Sequence, residues 1–102
     1  MQTMIMVYKL KKGITLEEYK KFSHEVDQPL VNSLDVVKEF NVYFVLGPDK
    51  IWDIFEVIKL NSYKVWEEAT QTGKMKKHDI EWKKYVDTDS IKFVFGEKIL
   101  IR

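Results

Sequence analysis

An α+β fold with its elements in the order β-α-β-β-α-β follows from three features of the sequence. Two-residue alternation of apolar side chains marks four stretches as strands, and 3.6-residue stripes mark two as helical. The turn Gly47-Pro48-Asp49 joins the two middle strands directly, which makes them an antiparallel pair. With right-handed crossovers, the remaining connections place both helices on one face of a four-stranded antiparallel sheet. A doubly wound parallel sheet is the weaker alternative, because that short turn cannot link parallel neighbours.

The first strand is Met4 to Leu10, with Met4, Met6, Tyr8 and Leu10 on one face and Ile5, Val7 and Lys9 on the other. Lys11, Lys12 and Gly13 close it. A helix opens at Thr15, where Glu18 three residues on completes a capping box and Ile14 acts as the staple residue. Its stripe runs Leu16, Tyr19, Phe22, Val26 and Leu30, and Pro29 predicts a kink or break near Gln28. The second strand is Val36 to Leu46, with Phe40, Val42, Phe44 and Leu46 on one face. The third is Ile51 to Leu60, dividing into Asp53, Phe55, Val57 and Lys59 against Trp52, Ile54, Glu56, Ile58 and Leu60. A helical region runs from a cap at Asn61 or Ser62 to about Val86. Gly73 interrupts it, leaving Val65, Trp66 and Ala69 before the break and Met75, His78, Trp82, Tyr85 and Val86 after it. Asp87, Asp89 and Ser90 supply a turn into the last strand, Ile91 to Ile101, with Gly96 as the expected bulge. The arrangement is the ferredoxin-like plait.

Composition narrows the function. The chain has 102 residues, which suits a single domain over 1–102, and its 4 Gly and 2 Pro form no internal linker. Seventeen basic and 16 acidic side chains leave a net charge of +1, which argues against a general nucleic-acid binder. The absence of Cys excludes a disulfide framework, thiolate metal ligands and a thiol nucleophile. No apolar run approaches the roughly 20 residues that span a bilayer. The basic residues follow the N-terminal apolar stretch rather than precede it, the reverse of a signal peptide, so a cytoplasmic location is expected. No phosphate-loop, dinucleotide, zinc-protease or nucleophile-elbow motif is present. Lys74, Lys76 and Lys77 are followed by acids and fit a solvated helix face better than a nucleic-acid patch.

Both faces of the middle strands are apolar. A lone plait would leave the helix-free face wet at about 25 cal/mol per Å². The expected solution is a two-fold homodimer in which two sheets pack face to face.

With such a partner the chain resembles the dimeric α-β barrel superfamily, and within it the REDY-like HapK family. The resemblance is carried by the first strand VYKLKKG, by Tyr19 and Phe22 ahead of Asp27-Gln28-Pro29, by the strand WDIFEVIKL and by the trailing WKKYVDTDSIKFVFGEKI. It spans nearly the whole chain. It implies an association with pigment-type secondary metabolism. The wider superfamily includes monooxygenases acting on aromatic polyketides, polyketide cyclases and haem-degrading enzymes. Related cyclases often place one His early on strand one and another on strand three. This chain has Met4 and Asp53 there, so that two-histidine pair is not present in that form.

Several residues are candidates for chemistry. Asp53 shares a face with Phe55 and Val57, which is read as the face beneath the helices. A carboxylate there needs a hydrogen bond or a raised pKa, and suits a general base or a ligand anchor, unless it is solvated at the strand entrance. Glu56 falls on the opposite face, where an ion pair or hydrogen bond across the dimer is the expected role. His78 lies on the Met75–Trp82–Tyr85 stripe and suits proton transfer if it borders a pocket, or core packing if it does not. Asp27 either caps the break before Pro29 or reaches a ligand. His24 lies beside it at spacing three, but two ligands do not make a metal site. Tyr8 is placed to approach Asp53 from the adjacent strand. Tyr19, Trp66, Trp82 and Phe55 are candidate walls for a flat ligand, or ordinary core.

The function expected from these residues is cofactor-independent chemistry on an aromatic or polyketide-like molecule, of monooxygenase, cyclase or condensation type. Asp53 with His78 or Tyr8 would manage protons. The alternative is a non-catalytic homodimeric ligand-binding or assembly module. An RNA-binding plait lacks the basic flanks that base stacking on a sheet requires.

Overall fold

The computed structural model describes residues 2–48 and 50–100. Strand β1 (Gln2–Leu10) leads through a turn at Gly13, whose positive φ of 93° suits glycine, into helix α1 (Leu16–Phe22). The capping box forms as expected: Thr15 Oγ1 accepts from the Glu18 amide, and the Glu18 carboxylate accepts from the Thr15 amide. A π-helical turn (Ser23–Asp27) and helix α2 (Gln28–Asn32) continue the same rod. Then come β2 (Val37–Phe44), β3 (Ile54–Leu60), α3 (Tyr63–Thr70), α4 (Gly73–Trp82) and β4 (Val86–Glu97). The strands lie in the order β2-β3-β1-β4 with every neighbour antiparallel, the plait expected from the sequence. No helix among the described residues is long and apolar enough to cross a membrane.

Pro29 does not break the first helical rod. The helix widens instead, and the Gln28 amide bonds to Ser23 O, five residues back. Proline has no N–H and its ring crowds the carbonyl four residues earlier, so a wide turn just before it relieves both problems. The extra residue rotates the helix. Ser23 and Asp27 turn inward, in line with Tyr19 and Val31, while the expected stripe residue Val26 becomes exposed. Asp27 makes no capping hydrogen bond.

The two faces of β3 are the reverse of the expected assignment. Tyr8 pairs with Ile54, and Met4 and Phe40 both pair with Ile58, so Ile54, Glu56, Ile58 and Leu60 lie beneath the helices. Phe55 and Val57 lie on the helix-free face, where Phe55 stacks on Tyr43 at 4.6 Å. A two-residue alternation that is apolar on both faces fixes the spacing but not which face is inner. The cross-strand neighbours decide it, and the aliphatic row of Ile54, Ile58 and Leu60 matches Met4, Tyr8 and Phe40.

Strand ends differ too. β3 begins at Ile54 rather than Ile51, and β2 stops at Phe44 rather than Leu46. Gly73 does separate the second helical region, as the first residue of α4 after the cap Thr72. β4 starts at Val86, where the residues through Ser90 were expected to form helix end and turn. The irregularity in its pairing lies opposite Val7 to Lys9, where Ser90 Oγ accepts from the Lys9 amide (2.8 Å) and donates to Asp87 O (2.6 Å). Gly96 is instead paired regularly with Thr3. Asp49 of the expected turn and Ile101 of the expected last strand lie outside the described residues.

Two apolar clusters fill the space between helices and sheet. One gathers Met4, Val31, Phe40, Ile58 and Leu60, and the other Tyr8, Tyr19, Phe22, Ile54 and Val86. Met6 on β1 and Glu56 on β3 lie between them, because each sits two residues from a member of either cluster. The space above that seam is a cavity.

Candidate functional site

The cavity has a volume of about 600 Å³, in the range that encloses a drug-sized molecule. β1 and β3 supply its floor through Met6, Glu56 and Ile58. The π turn and α2 supply Asp27 and Val31, and the helices α3 and α4 supply Trp66, Met75, His78 and Trp82.

Three titratable side chains at the cavity are almost sealed from solvent: Asp27 is 3 %, Glu56 4 % and His78 8 % exposed. Asp27 Oδ1 lies 2.8 Å from His78 Nε2, while Asp27 Oδ2 is buried without a hydrogen-bond partner. A carboxylate can only accept, so Nε2 carries the proton of this hydrogen bond, and in the neutral form of the ring Nδ1 is the basic nitrogen. Phe22 stacks on the imidazole with an interplanar angle of 10° and fixes its plane.

Glu56 is held from the other side. The Tyr8 hydroxyl donates to Glu56 Oε2, and the Tyr8 and Tyr19 hydroxyls are themselves hydrogen-bonded. A phenol has one proton, so when Tyr8 donates to Glu56 the Tyr19 hydroxyl must donate to Tyr8. Burial pushes the Glu56 carboxyl up to about 8, and the negative charge of Asp27 adds to the rise. The Tyr8 hydrogen bond opposes it without cancelling it. Burial, followed by the charge of Glu56, raises both phenols far above their ordinary value, so they stay protonated. At neutral pH the site therefore pairs a mostly protonated carboxyl with an imidazole held by a carboxylate.

The residues singled out from the sequence divide into two groups. Asp27, His78, Trp66 and Trp82 line the cavity. Tyr8 and Tyr19 stand behind Glu56, and Tyr8 also meets Trp82 edge to face at 5.2 Å. Asp53 does not join them. Its Oδ2 accepts from the Leu10 amide (2.8 Å) and its Oδ1 pairs with Lys50 (3.2 Å), so it ties the start of β3 to the end of β1. His24 is exposed on the outer side of the π turn, and Phe55 lies on the opposite face of the sheet. Glu56 was placed on the partner face and so was missed as a site residue. The signal for it was available: a lone carboxylate in an otherwise aliphatic row, on a strand that pairs with one carrying a phenol. Among the described residues no three His, Asp or Glu side chains are grouped to hold a metal ion.

The raised Glu56 pKa makes stability depend on pH. Between about 4.5 and about 8 the folded protein keeps a proton that the unfolded chain has lost. Stability from this group is complete below the lower value and falls as pH rises through the window, by up to about 1.4 kcal/mol per pH unit. Urea unfolding from pH 4 to 9 should show that slope in the wild type and not in Glu56→Gln. The same profile in both proteins would contradict the assignment.

A family model described as "REDY-like protein HapK" matches residues 2–99. No functionally curated protein is similar enough in sequence to match. Among solved structures, HapK from Hahella chejuensis superposes with a TM-score of 0.84 at 17 % identity, over 97 % of this chain and 93 % of that one. A dimeric protein of unknown function with a ferredoxin-like fold, from Bacteroides fragilis, gives 0.73 at 15 % identity, over 95 % of each chain. A hydroxynitrile lyase from Passiflora edulis gives 0.74 at 13 % identity, over 97 % of this chain and 96 % of that one. At these identities the superpositions establish the fold, and the family model, covering nearly the full length, establishes that the chain belongs to the REDY-like HapK family.

Proposed function

We propose that this chain is a cofactor-independent acid–base protein acting on a small aromatic or polyketide-like carbonyl compound bound in the cavity. One observation carries the reading: a protonated carboxyl and a basic imidazole face the same apolar space. A buried carboxyl that keeps its proton, beside an imidazole oriented by a carboxylate, offers an acid and a base to one cavity. His78 Nδ1 takes a proton from a carbon next to the carbonyl, and the imidazolium formed is stabilised by Asp27. Glu56 gives its proton to the carbonyl oxygen, and an enol results. Tyr8, backed by Tyr19, keeps Glu56 aimed at the cavity. Condensation and cyclisation both proceed from an enol. Trp66 and Trp82 offer flat walls for an aromatic ring. The existence of a hydroxynitrile lyase on the same fold shows that such a plait can host an enzyme and supports a catalytic reading.

The working form we propose is a homodimer of single-domain chains. On the helix-free face Ile5 is 40 %, Tyr43 44 % and Val94 66 % exposed, with Phe55 and Val57 between them. A second copy of the same face would cover this apolar surface, and a related fold is described as dimeric.

Two experiments test these readings. With 2-acetylnaphthalene in deuterated buffer, the wild type should speed deuterium entry into the methyl group, as followed by NMR. The rate should fall as pH rises through about 8, where Glu56 loses its proton. His78→Ala and Glu56→Gln should each lower it by about a hundredfold or more. Thermal stabilisation by the ketone with exchange no faster than in buffer would identify a binding module instead. In sedimentation the wild type should run as a dimer and Val57→Glu as a folded monomer, and a wild-type monomer would exclude the sheet-to-sheet assembly.

A further inference from the structure

The cavity changes character along its depth. Its floor is apolar apart from Glu56, and the adjoining Asp27–His78 pair is nearly closed to solvent. Its rim, where α3 passes into α4, is polar and open, and there Gln71 and Lys76 line the cavity while exposed to solvent. Lys76 is the one lysine or arginine lining the cavity among the described residues, and it makes no salt bridge there. The rim acid Asp79 is already engaged by Lys83 at 2.7 Å, so it does not neutralise Lys76.

From this gradient we infer that Lys76 is a specificity-determining residue that selects ligands carrying a carboxylate at the end opposite the reacting carbonyl. An anionic group cannot settle on the floor. It would lose its hydration among Met6, Phe40 and Ile58 and would meet the Asp27 carboxylate. At the rim it keeps water and gains the Lys76 ammonium. A keto acid therefore enters in one orientation, with its aryl ketone down towards His78 and Glu56 and its carboxylate outward. The inference rests on the cavity reading of the proposed function, and it adds the substrate class: aromatic keto acids.

The test compares 4-(2-naphthyl)-4-oxobutanoate with its primary amide, by calorimetric titration of the wild type, Lys76→Met and Lys76→Arg. The wild type should bind the acid up to about fivefold more tightly than the amide at low salt, as a solvent-facing ion pair allows. The preference should shrink as salt is added. It should vanish in Lys76→Met and persist in Lys76→Arg. Equal affinities for acid and amide in the wild type, or a preference that survives in Lys76→Met, would overturn the role of Lys76 and leave the cavity reading standing. Failure of both compounds to bind any of the three proteins would overturn the cavity reading and this inference with it.

Discussion

Glu56 lies in the aliphatic row of the inner strand β3, between Ile54 and Ile58, and water barely reaches it. An ionised carboxylate in such a place would cost several kcal/mol. The protein meets this constraint in two ways. The group keeps its proton to about pH 8, and the Tyr8 hydroxyl satisfies one of its oxygens. Tyr8 in turn is fixed by Tyr19 on α1 and by the edge of Trp82 on α4. A single buried carboxyl thus links two strands and two helices.

The first helical rod serves the same constraint. Regular α-helix through residue 27 would continue the stripe to Val26 and fill the inner side with another aliphatic group. The π turn before Pro29 brings Asp27 in instead. Its negative charge pushes Glu56 further towards the protonated form, and its Oδ1 holds His78. One local departure from helical geometry therefore shapes the surroundings of both Glu56 and His78. The helix-free face takes no part in this, so the proposed dimer surface and the cavity lie on opposite sides of one sheet.

Much of this was legible in the sequence. The order of elements followed from periodicity, the start of α1 from Thr15 and Glu18, and the division of the second helical region from Gly73. The inward direction of Tyr8 and His78 followed from their stripes. The inner face of β3 did not, because Phe55 and Val57 are as apolar as Ile54 and Ile58, and parity alone cannot rank two apolar rows. Asp53 was drawn into the site and Glu56 out of it by that one reversal. The inward turn of Asp27 was hidden for a different reason: a π turn shifts the helical period by one residue, and only the crowding around Pro29 hints at it. The early start of β4 was masked by Asp87, Asp89 and Ser90, turn formers that here make an irregular insertion in a strand.

The most direct measurement is the titration of the Glu56 carboxyl carbon itself, by NMR on protein labelled at glutamate and assigned by comparison with Glu56→Gln. Buried as it is beside Asp27, this carbon should titrate near pH 8. A midpoint near 4.5, with Glu56 ionised at neutral pH, would remove the acid from the site and contradict the account at its centre.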